Sequence, residues 1–175
     1  MKTSRVFFLL VMVALVMGSI AQAAVPAGEE VSAKDEVVLA IGGESTDGYD
    51  PTLGWGRYGS PLFQSTLLRR DEDMNIVNDL AESYTVSDDG LEWNIKIRED
   101  ARFSDGEPVT AADVAFTFNR AAMSGGVVDL SILDEAVVTG EYEVSLRLKE
   151  PRSTFIHRLV SLGIVPEHAY GEDYA

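Results

Sequence analysis

The side chains best suited to chemistry in this 175-residue chain are its two histidines, His157 and His168. Neither has a partner at the spacing of a metal site, and the chain contains no HExxH pattern. No Gly-x-Ser-x-Gly motif is present, so the sequence offers no nucleophile elbow. The absence of cysteine excludes disulfides, thiolate ligands and cysteine nucleophiles. The sequence therefore predicts no catalytic centre, no metal site and no cofactor.

One acidic run, Asp71-Glu72-Asp73-Met74-Asn75, places Asp, Asp and Asn at alternate positions, as a calcium-binding loop does. A calcium loop also needs a central glycine, which this run lacks. Asp and Asn are common in tight turns, because their side chains accept hydrogen bonds from nearby backbone groups. The run is therefore predicted to be a turn.

The glycines Gly54, Gly56 and Gly59 match the Gly-x-Gly-x-x-Gly spacing of dinucleotide-binding loops. Those loops join a strand directly to a helix, whereas here about a dozen residues follow the nearest predicted strand. Three bulky residues also crowd the space that phosphates would have to enter. Nucleotide binding is therefore not favoured.

These bulky residues, Trp55, Arg57 and Tyr58, are the best candidates for binding a ligand. Aromatic rings offer a large contact area at a small entropic cost, and arginine can hold a carboxylate with paired donors. Their position in a glycine-rich loop favours a binding site for a small molecule. The alternative is that Trp55 and Tyr58 only fill the edge of a domain, because aromatic residues are often buried.

The charge balance excludes one class of partner. With 29 acidic and 14 basic residues, the chain has a formal net charge of −15. A nucleic-acid surface needs clustered lysine and arginine, so no nucleic-acid partner is predicted. The acidity favours a soluble, self-repelling surface, and the alternative is an acidic lining for a cationic ligand.

Residues 1–23 have the three parts of a secretory signal. A basic start precedes the apolar run Val6–Val16, and the small residues Ala21-Gln22-Ala23 follow it. The run has about half the length needed to span a bilayer, so an uncleaved anchor is the less favoured alternative. We predict cleavage after Ala23, then a flexible leader over 24–35. The protein is expected to be periplasmic or extracytoplasmic and not lipid-anchored, because the chain has no cysteine.

The rest of the chain has the pattern of a mixed α+β protein. Trp93, Ile95 and Ile97 alternate with polar residues, which predicts a strand with one buried face. Thr110 and Asp113 have the spacing of a capping box at the start of a helix. The predicted elements are a strand at 37–41, a helix at 61–68, a hairpin at 80–97 turning at 87–90, a helix at 110–124, a hairpin at 135–148 and a helix at 153–162.

Residues 80–121, LAESYTVSDDGLEWNIKIREDARFSDGEPVTAADVAFTFNRA, carry a specific resemblance. They are similar to the signature stretch of the family 5 extracellular solute-binding proteins, the peptide, dipeptide and nickel receptors of ATP-driven (ABC) importers. The similarity extends from about Val37 to the C-terminus. The matching parts are Asp50-Pro51, Leu80–Tyr84, Ser87–Gly90, Arg98, Phe103–Val114, Phe155, Val165-Pro166 and Tyr170-Gly171.

The resemblance implies a periplasmic-binding-protein-like fold of class II and three-domain type, in which two lobes close on a ligand. It implies that 36–62 begin lobe I and that 63–175 form a truncated extra domain, with the second lobe outside this chain. Such a fragment would bind weakly. The implied role is ligand capture for an ABC permease, without enzymatic activity. The alternatives are an exported hydrolase, a nickel-chelate receptor and a structural or adhesion module.

By position in the family, the loop at Trp55, Arg57 and Tyr58 is expected to border the ligand cleft, together with Val127, Val128 and Asp129. Nickel-chelate receptors of this family use arginine and aromatic side chains in the latter segment and near the last strand. Here the corresponding residues are Val127–Asp129, Leu162 and Gly163. This departure favours an oligopeptide, a dipeptide or a similar small solute over a nickel chelate.

Overall fold

The computed structural model describes residues 48–57, 61–124 and 128–170. All of them belong to the second of two compact units in the chain, Glu44–Ala175. The predicted signal, the leader and the strand at 37–41 lie outside the described residues. No helix in the described ranges is long and apolar enough to cross a bilayer.

Two helices and two antiparallel sheets make up the described part. β1 and β2 form a small ribbon, and the other four strands form a sheet in the order β3-β4-β6-β5. Single 3-10 turns occur at Pro51–Leu53, Ser153–Phe155 and Glu167–Ala169. The strands and helices are β1 (Leu68–Arg70), β2 (Ile76–Asn78), β3 (Ala81–Val86), β4 (Glu92–Ile97), α1 (Ala111–Met123), β5 (Leu133–Gly140), β6 (Glu143–Leu148) and α2 (Ile156–Ser161).

The hairpin of β3 and β4 confirms the prediction from alternation. Trp93, Ile95 and Ile97 are buried, while the residues between them face outward or are half-buried. The connecting turn places Gly90 at φ 73, in the left-handed region that glycine adopts without strain. The sheet therefore has one face available for a hydrophobic core.

Helix α1 covers that face and is fixed to the sheet by both apolar and polar contacts. Val114, Phe118 and Ala121 are fully buried, as their helical spacing predicts. The amide of Asn119 donates to the carbonyl of Ala136 and accepts from its N–H, both at 2.9 Å. Because Ala136 lies in β5, this pair of hydrogen bonds sets the position of the helix along the strand.

The start of α1 is the capping box that the sequence predicts. The Asp113 carboxylate accepts hydrogen bonds from the N–H and the hydroxyl of Thr110, each at 2.8 Å. Its other oxygen accepts from the N–H of Glu167 at 2.9 Å. One turn later, the Thr117 hydroxyl oxygen accepts from the N–H of Val165 at 3.1 Å. The helix thus holds the segment that follows α2.

The helix predicted at 61–68 is absent, and this prediction is wrong. Residues 61–67 form bends and a bridge, and Leu68 begins β1. Their backbone groups find distant partners, since Thr66 pairs with Gly163 and the carbonyl of Ser65 accepts from Ile164 N–H at 2.9 Å. Long-range pairing has replaced the local hydrogen bonds of a helix.

The ribbon of β1 and β2 was not predicted, and the other predicted elements in the described ranges differ from the structure only in detail. The hairpin predicted at 135–148 is formed by β5 and β6. The helix predicted at 153–162 divides into a 3-10 turn and the shorter α2. The run 71–75 is a turn, in which the Asp71 carboxylate accepts from the N–H groups of Asp73 and Asn75. All described strand pairs are antiparallel.

Candidate ligand-binding site

The loop at 48–57 contains a short turn capped by the Asp50 carboxylate. Asp50 Oδ1 accepts hydrogen bonds from the N–H and the hydroxyl of Thr52, both at 2.8 Å, and so caps the 3-10 turn Pro51–Leu53. The turn ends at Gly54, whose φ of 110 is accessible to glycine. The sequence predicted no regular element here, and this one turn is the exception. Trp55 follows the turn directly, and its N–H donates to the Asp50 carbonyl at 3.1 Å.

Three aromatic rings, Tyr49, Trp55 and Phe63, contact one another and are called the aromatic cluster below. The rings of Tyr49 and Trp55 meet edge to face with centroids 4.8 Å apart. Phe63 stacks on Trp55 at 5.9 Å and meets Tyr49 edge-on at 5.2 Å. Tyr49 is 53% exposed and Phe63 is 64% exposed, so the cluster presents apolar surface to solvent. Such a surface can cover an apolar part of a ligand.

Some polar groups beside this cluster have hydrogen-bond partners in the described part of the chain and others do not. The buried indole Nε1 of Trp55 has no hydrogen-bond partner among the described residues. Gln64 donates from its side-chain nitrogen to the carbonyl of Tyr49 at 3.1 Å, which links the loop to the segment after it. Arg57 is exposed, and Tyr58 lies outside the described residues.

Glycine at position 163 lets two segments approach closely. A Cβ atom added to Gly163 would lie 2.7 Å from Gln64 Cβ and 3.0 Å from Pro61 Cγ. Pro51 Cγ would lie 3.1 Å away. Contacts this short leave no space for a side chain. The end of α2 is therefore packed directly against the residues that flank the loop.

The second predicted segment, Val127 to Asp129, is only partly described. Val127 lies outside the described residues, and Val128 is buried in the hydrophobic core, where its carbonyl accepts from the Leu130 N–H at 2.8 Å. Asp129 is exposed and accepts hydrogen bonds from the Ser131 hydroxyl at 2.8 Å and from Arg158 Nη2 at 3.0 Å. The Ser131 hydrogen bond, aided by the charge of Arg158, lowers the pKa of this carboxyl. Asp129 is thus an accessible anion.

The two histidines lie apart from the loop residues and have ordinary surface contacts. His157 Nδ1 lies 3.3 Å from Arg70 Nη2, and His168 Nε2 lies 2.7 Å from Asp105 Oδ2. Within the described ranges, no group of three or more histidine and acidic side chains is placed to hold a metal ion.

Tyr49 and Phe63 complete the aromatic cluster, and the sequence did not single them out as binding residues. Tyr49 could have been recognised from its place in the aromatic loop. Phe63 could not, because the pattern of 61–68 predicts a helix and gives no sign that the segment contacts Trp55.

Comparison with known proteins identifies the family. A family model described as "Bacterial extracellular solute-binding proteins, family 5 Middle" matches residues 75–175. The chain belongs to this family. The match includes β2 to β6 and both helices, which confirms the resemblance of residues 80–121. Family 5 comprises solute-binding receptors, and the periplasmic-binding-protein fold inferred from the sequence is confirmed.

This family-5 chain is similar to binding proteins that are named for, or were solved in complex with, several different ligands. Glutathione-binding protein GsiB of Escherichia coli O1:K1 / APEC is 36% identical over 133 residues, which are 73% of this chain and 26% of GsiB. The structure of NikZ from Campylobacter jejuni in complex with Ni(L-His) is similar with a TM-score of 0.67 and 26% identity, over 75% of this chain and 27% of NikZ. The oligopeptide-binding protein AppA of Bacillus subtilis, in complex with a nonapeptide, gives a TM-score of 0.56 and 31% identity, over 64% of this chain and 23% of AppA. The chain thus spans about a quarter of the length of such proteins.

Proposed function

We propose that this chain serves in the substrate-binding component of an ABC-type importer. The component would capture a small solute outside the cytoplasmic membrane and deliver it to the permease. The observation that carries the proposal is the family-5 match over residues 75–175, together with a fold similar to those of NikZ and AppA. Capture would rely on closure of domains around the ligand and not on a chemical step.

The ligand we propose is an oligopeptide, a dipeptide or a similar small solute. The named relatives bind glutathione, a nonapeptide and Ni(L-His), so both peptides and nickel chelates occur in the family. The packing at Gly163 supports a peptide ligand over a nickel chelate, because an added Cβ would already lie 2.7 Å from Gln64 Cβ. An arginine like the one expected in nickel-chelate receptors would not fit there without displacing the segment.

Within this chain we propose that the aromatic cluster and Arg57 form one side of the ligand cleft. The exposed rings of Tyr49 and Phe63 would cover apolar parts of the ligand. Arg57 is exposed beside them and would orient a carboxylate. Tyr58, Val127, Val128 and Asp129 remain predicted contacts. We further propose that 36–62 begin lobe I, that 63–175 belong to the extra domain and that the protein is exported.

Calorimetry on the protein produced from the whole gene tests the proposal. Di- to pentapeptides and nickel–histidine are titrated in parallel, and a saturable heat is expected with peptides. The Phe63→Ala variant should bind about tenfold more weakly, because it removes an exposed ring from the cluster. Met123→Ala is a matched control, since Met123 is also exposed and apolar but lies at the end of α1.

Three outcomes would contradict parts of this proposal. Heat with nickel–histidine alone would overturn the peptide preference. Equal affinity in the Phe63→Ala variant and wild type would remove the aromatic cluster from the site. Cleavage of the added peptide, detected by mass spectrometry, would instead indicate a hydrolase.

A further inference from the structure

A pocket of about 190 Å³ lies between the start of α2 and the segment after α1. Its floor is apolar, because Phe155 and Ile132 are buried there. Its rim is polar and charged, with an exposed hydroxyl at Thr154. The lining residues are Asp129, Ile132, Arg152, Thr154, Phe155, His157 and Arg158. The volume is below the range of sites for drug-sized ligands, so the pocket suits a smaller molecule.

The pocket brings charges of both signs to one rim. Arg158 donates to Asp129 at 3.0 Å, and Arg152 forms an ion pair with Glu150. A guanidinium carries five N–H donors, and each of these ion pairs uses one N–H, so further donors remain to meet an anion. The Asp129 carboxylate is 63% exposed and has acceptor capacity left for a cation.

The surroundings strengthen the positive side of this pocket. Arg70 Nη2 lies 3.3 Å from the ring nitrogen of His157, which lines the pocket. Three arginines therefore lie at or beside the pocket in a chain whose formal charge is −15, and among the described residues only two carboxylates, Asp129 and Glu150, are paired with them. Local positive charge in an acidic protein favours an anionic group at this place.

We propose that this pocket binds a small zwitterion, such as a free amino acid. The carboxylate would accept hydrogen bonds from Arg152 and Arg158, and the ammonium group would donate to Asp129. Small side chains would lie on the apolar floor of Ile132 and Phe155. The site goes beyond the proposed function, because none of its residues belongs to the aromatic cluster, and it shares with the predicted peptide contacts only Asp129.

The chemistry predicts weak and selective binding. Exposed charge pairs contribute little in water, so the dissociation constant is expected in the millimolar range, on the order of 1–10 mM. A molecule that carries both charges should bind better than one that carries a single charge, because it uses both sides of the rim. Glycine carries both charges, acetate only the negative one and methylammonium only the positive one, so these three molecules test the expectation.

The test is NMR titration of the protein produced from the whole gene and labelled with ¹⁵N, at constant ionic strength. Glycine should produce saturable shifts at the amides of Asp129, Thr154 and His157, and acetate and methylammonium should bind several-fold more weakly. Arg152→Gln should weaken glycine binding several-fold, and its exposed position leaves the fold intact. Arg98→Gln is the matched control, since Arg98 is similarly exposed and paired with Asp100 away from the pocket.

Three results would contradict the zwitterion site. The first is a linear response to glycine without saturation. The second is a loss of binding in Arg98→Gln as large as that in Arg152→Gln. Acetate that binds as tightly as glycine would also contradict it, because Asp129 would then contribute nothing. Each result leaves peptide capture by the aromatic cluster unaffected, so the two proposals fail separately.

Discussion

At the scale of single residues, Asp113 joins two parts of the molecule. It is buried, and its carboxylate accepts from Thr110 at the start of α1 and from the Glu167 N–H beyond α2. Replacing it with alanine removes a helix cap and leaves partly buried donors without this partner. We expect Asp113→Ala to lower the free energy of unfolding by about 2–3 kcal/mol in urea denaturation followed by circular dichroism.

The control for this change is Asp134→Ala, because Asp134 is an exposed carboxylate on β5. Its effect should stay within about 0.5 kcal/mol. Similar losses in the two variants would mean that overall charge, and not the cap, determines the stability.

The pair of His168 and Asp105 makes stability depend on pH. Its 2.7 Å hydrogen bond raises the pKa of His168, with help from the charges of Asp105, Asp113 and Glu107. The same bond is the main cause that lowers the pKa of Asp105. The raised pKa of His168 stabilises the folded state at pH values below the unfolded pKa of about 6.5. This contribution is lost as the pH rises through the folded pKa of His168. The lowered pKa of Asp105 stabilises the folded state at pH values above the unfolded pKa of about 3.9. This contribution is lost as the pH falls through the folded pKa of Asp105.

NMR titration of the His168 ring measures this coupling. In Asp105→Asn the pKa of His168 should fall towards the ordinary value, because the charged partner is gone. Asp100→Asn removes a carboxylate that pairs with Arg98 and should leave the His168 titration unchanged. An identical midpoint in wild type and Asp105→Asn would contradict the assignment. The stability difference between wild type and His168→Gln should likewise be larger near ~pH 5.5 than near ~pH 9.

The candidate site could be predicted only in part at this scale. Residue types in a glycine-rich loop were enough to select Trp55 and Arg57. The contact of Trp55 with Phe63 depends on how two segments fold back on each other, which no local pattern encodes. The position of Val128 in the family suggested a ligand contact, but it did not reveal that this residue is buried in the core.

At the scale of elements, the hairpin of β5 and β6 buries some of its apolar side chains and leaves others exposed. Leu146 is fully buried in the centre of the sheet, whereas Val138 on β5 is 48% exposed. Leu146→Ala should therefore lower the free energy of unfolding by about 3 kcal/mol, because it leaves a cavity. Val138→Ala should change it by less than about 1 kcal/mol. Urea denaturation of both variants measures the contrast, and equal losses would contradict the burial of Leu146.

Elements with strong periodicity were predictable, and those defined by distant contacts were not. The alternation in β4 and the spacing of Thr110 and Asp113 act locally, so the sequence reveals them. The segment 61–67 has an apolar pattern that suits a helix, but its partners are Gly163 and Ile164 at the far end of the chain. Such pairing depends on the tertiary structure, and local propensity cannot predict it.

At the scale of the whole molecule, residues 1–23 are predicted to be a secretory signal that directs export. We expect a bacterial host to secrete the chain and to remove this segment after Ala23. Mass spectrometry of the exported protein should then find Ala24 at the N-terminus. Ala23→Arg places a large charged residue at the cleavage position and should yield the uncleaved form. Correct processing of Ala23→Arg, or a wild-type protein that keeps Met1, would contradict the prediction.

The order β3-β4-β6-β5 has a consequence for how the chain folds. Both outer pairs are hairpins that close between neighbouring segments, but the central pair of β4 and β6 must close around the whole of α1. Closing that large loop is the entropically costly step, so it is expected to limit the rate of folding. Substitutions along the central seam, for example at Ile95 or Val144, should slow refolding in stopped-flow experiments. Substitutions on the outer strand β3 should instead mainly speed unfolding.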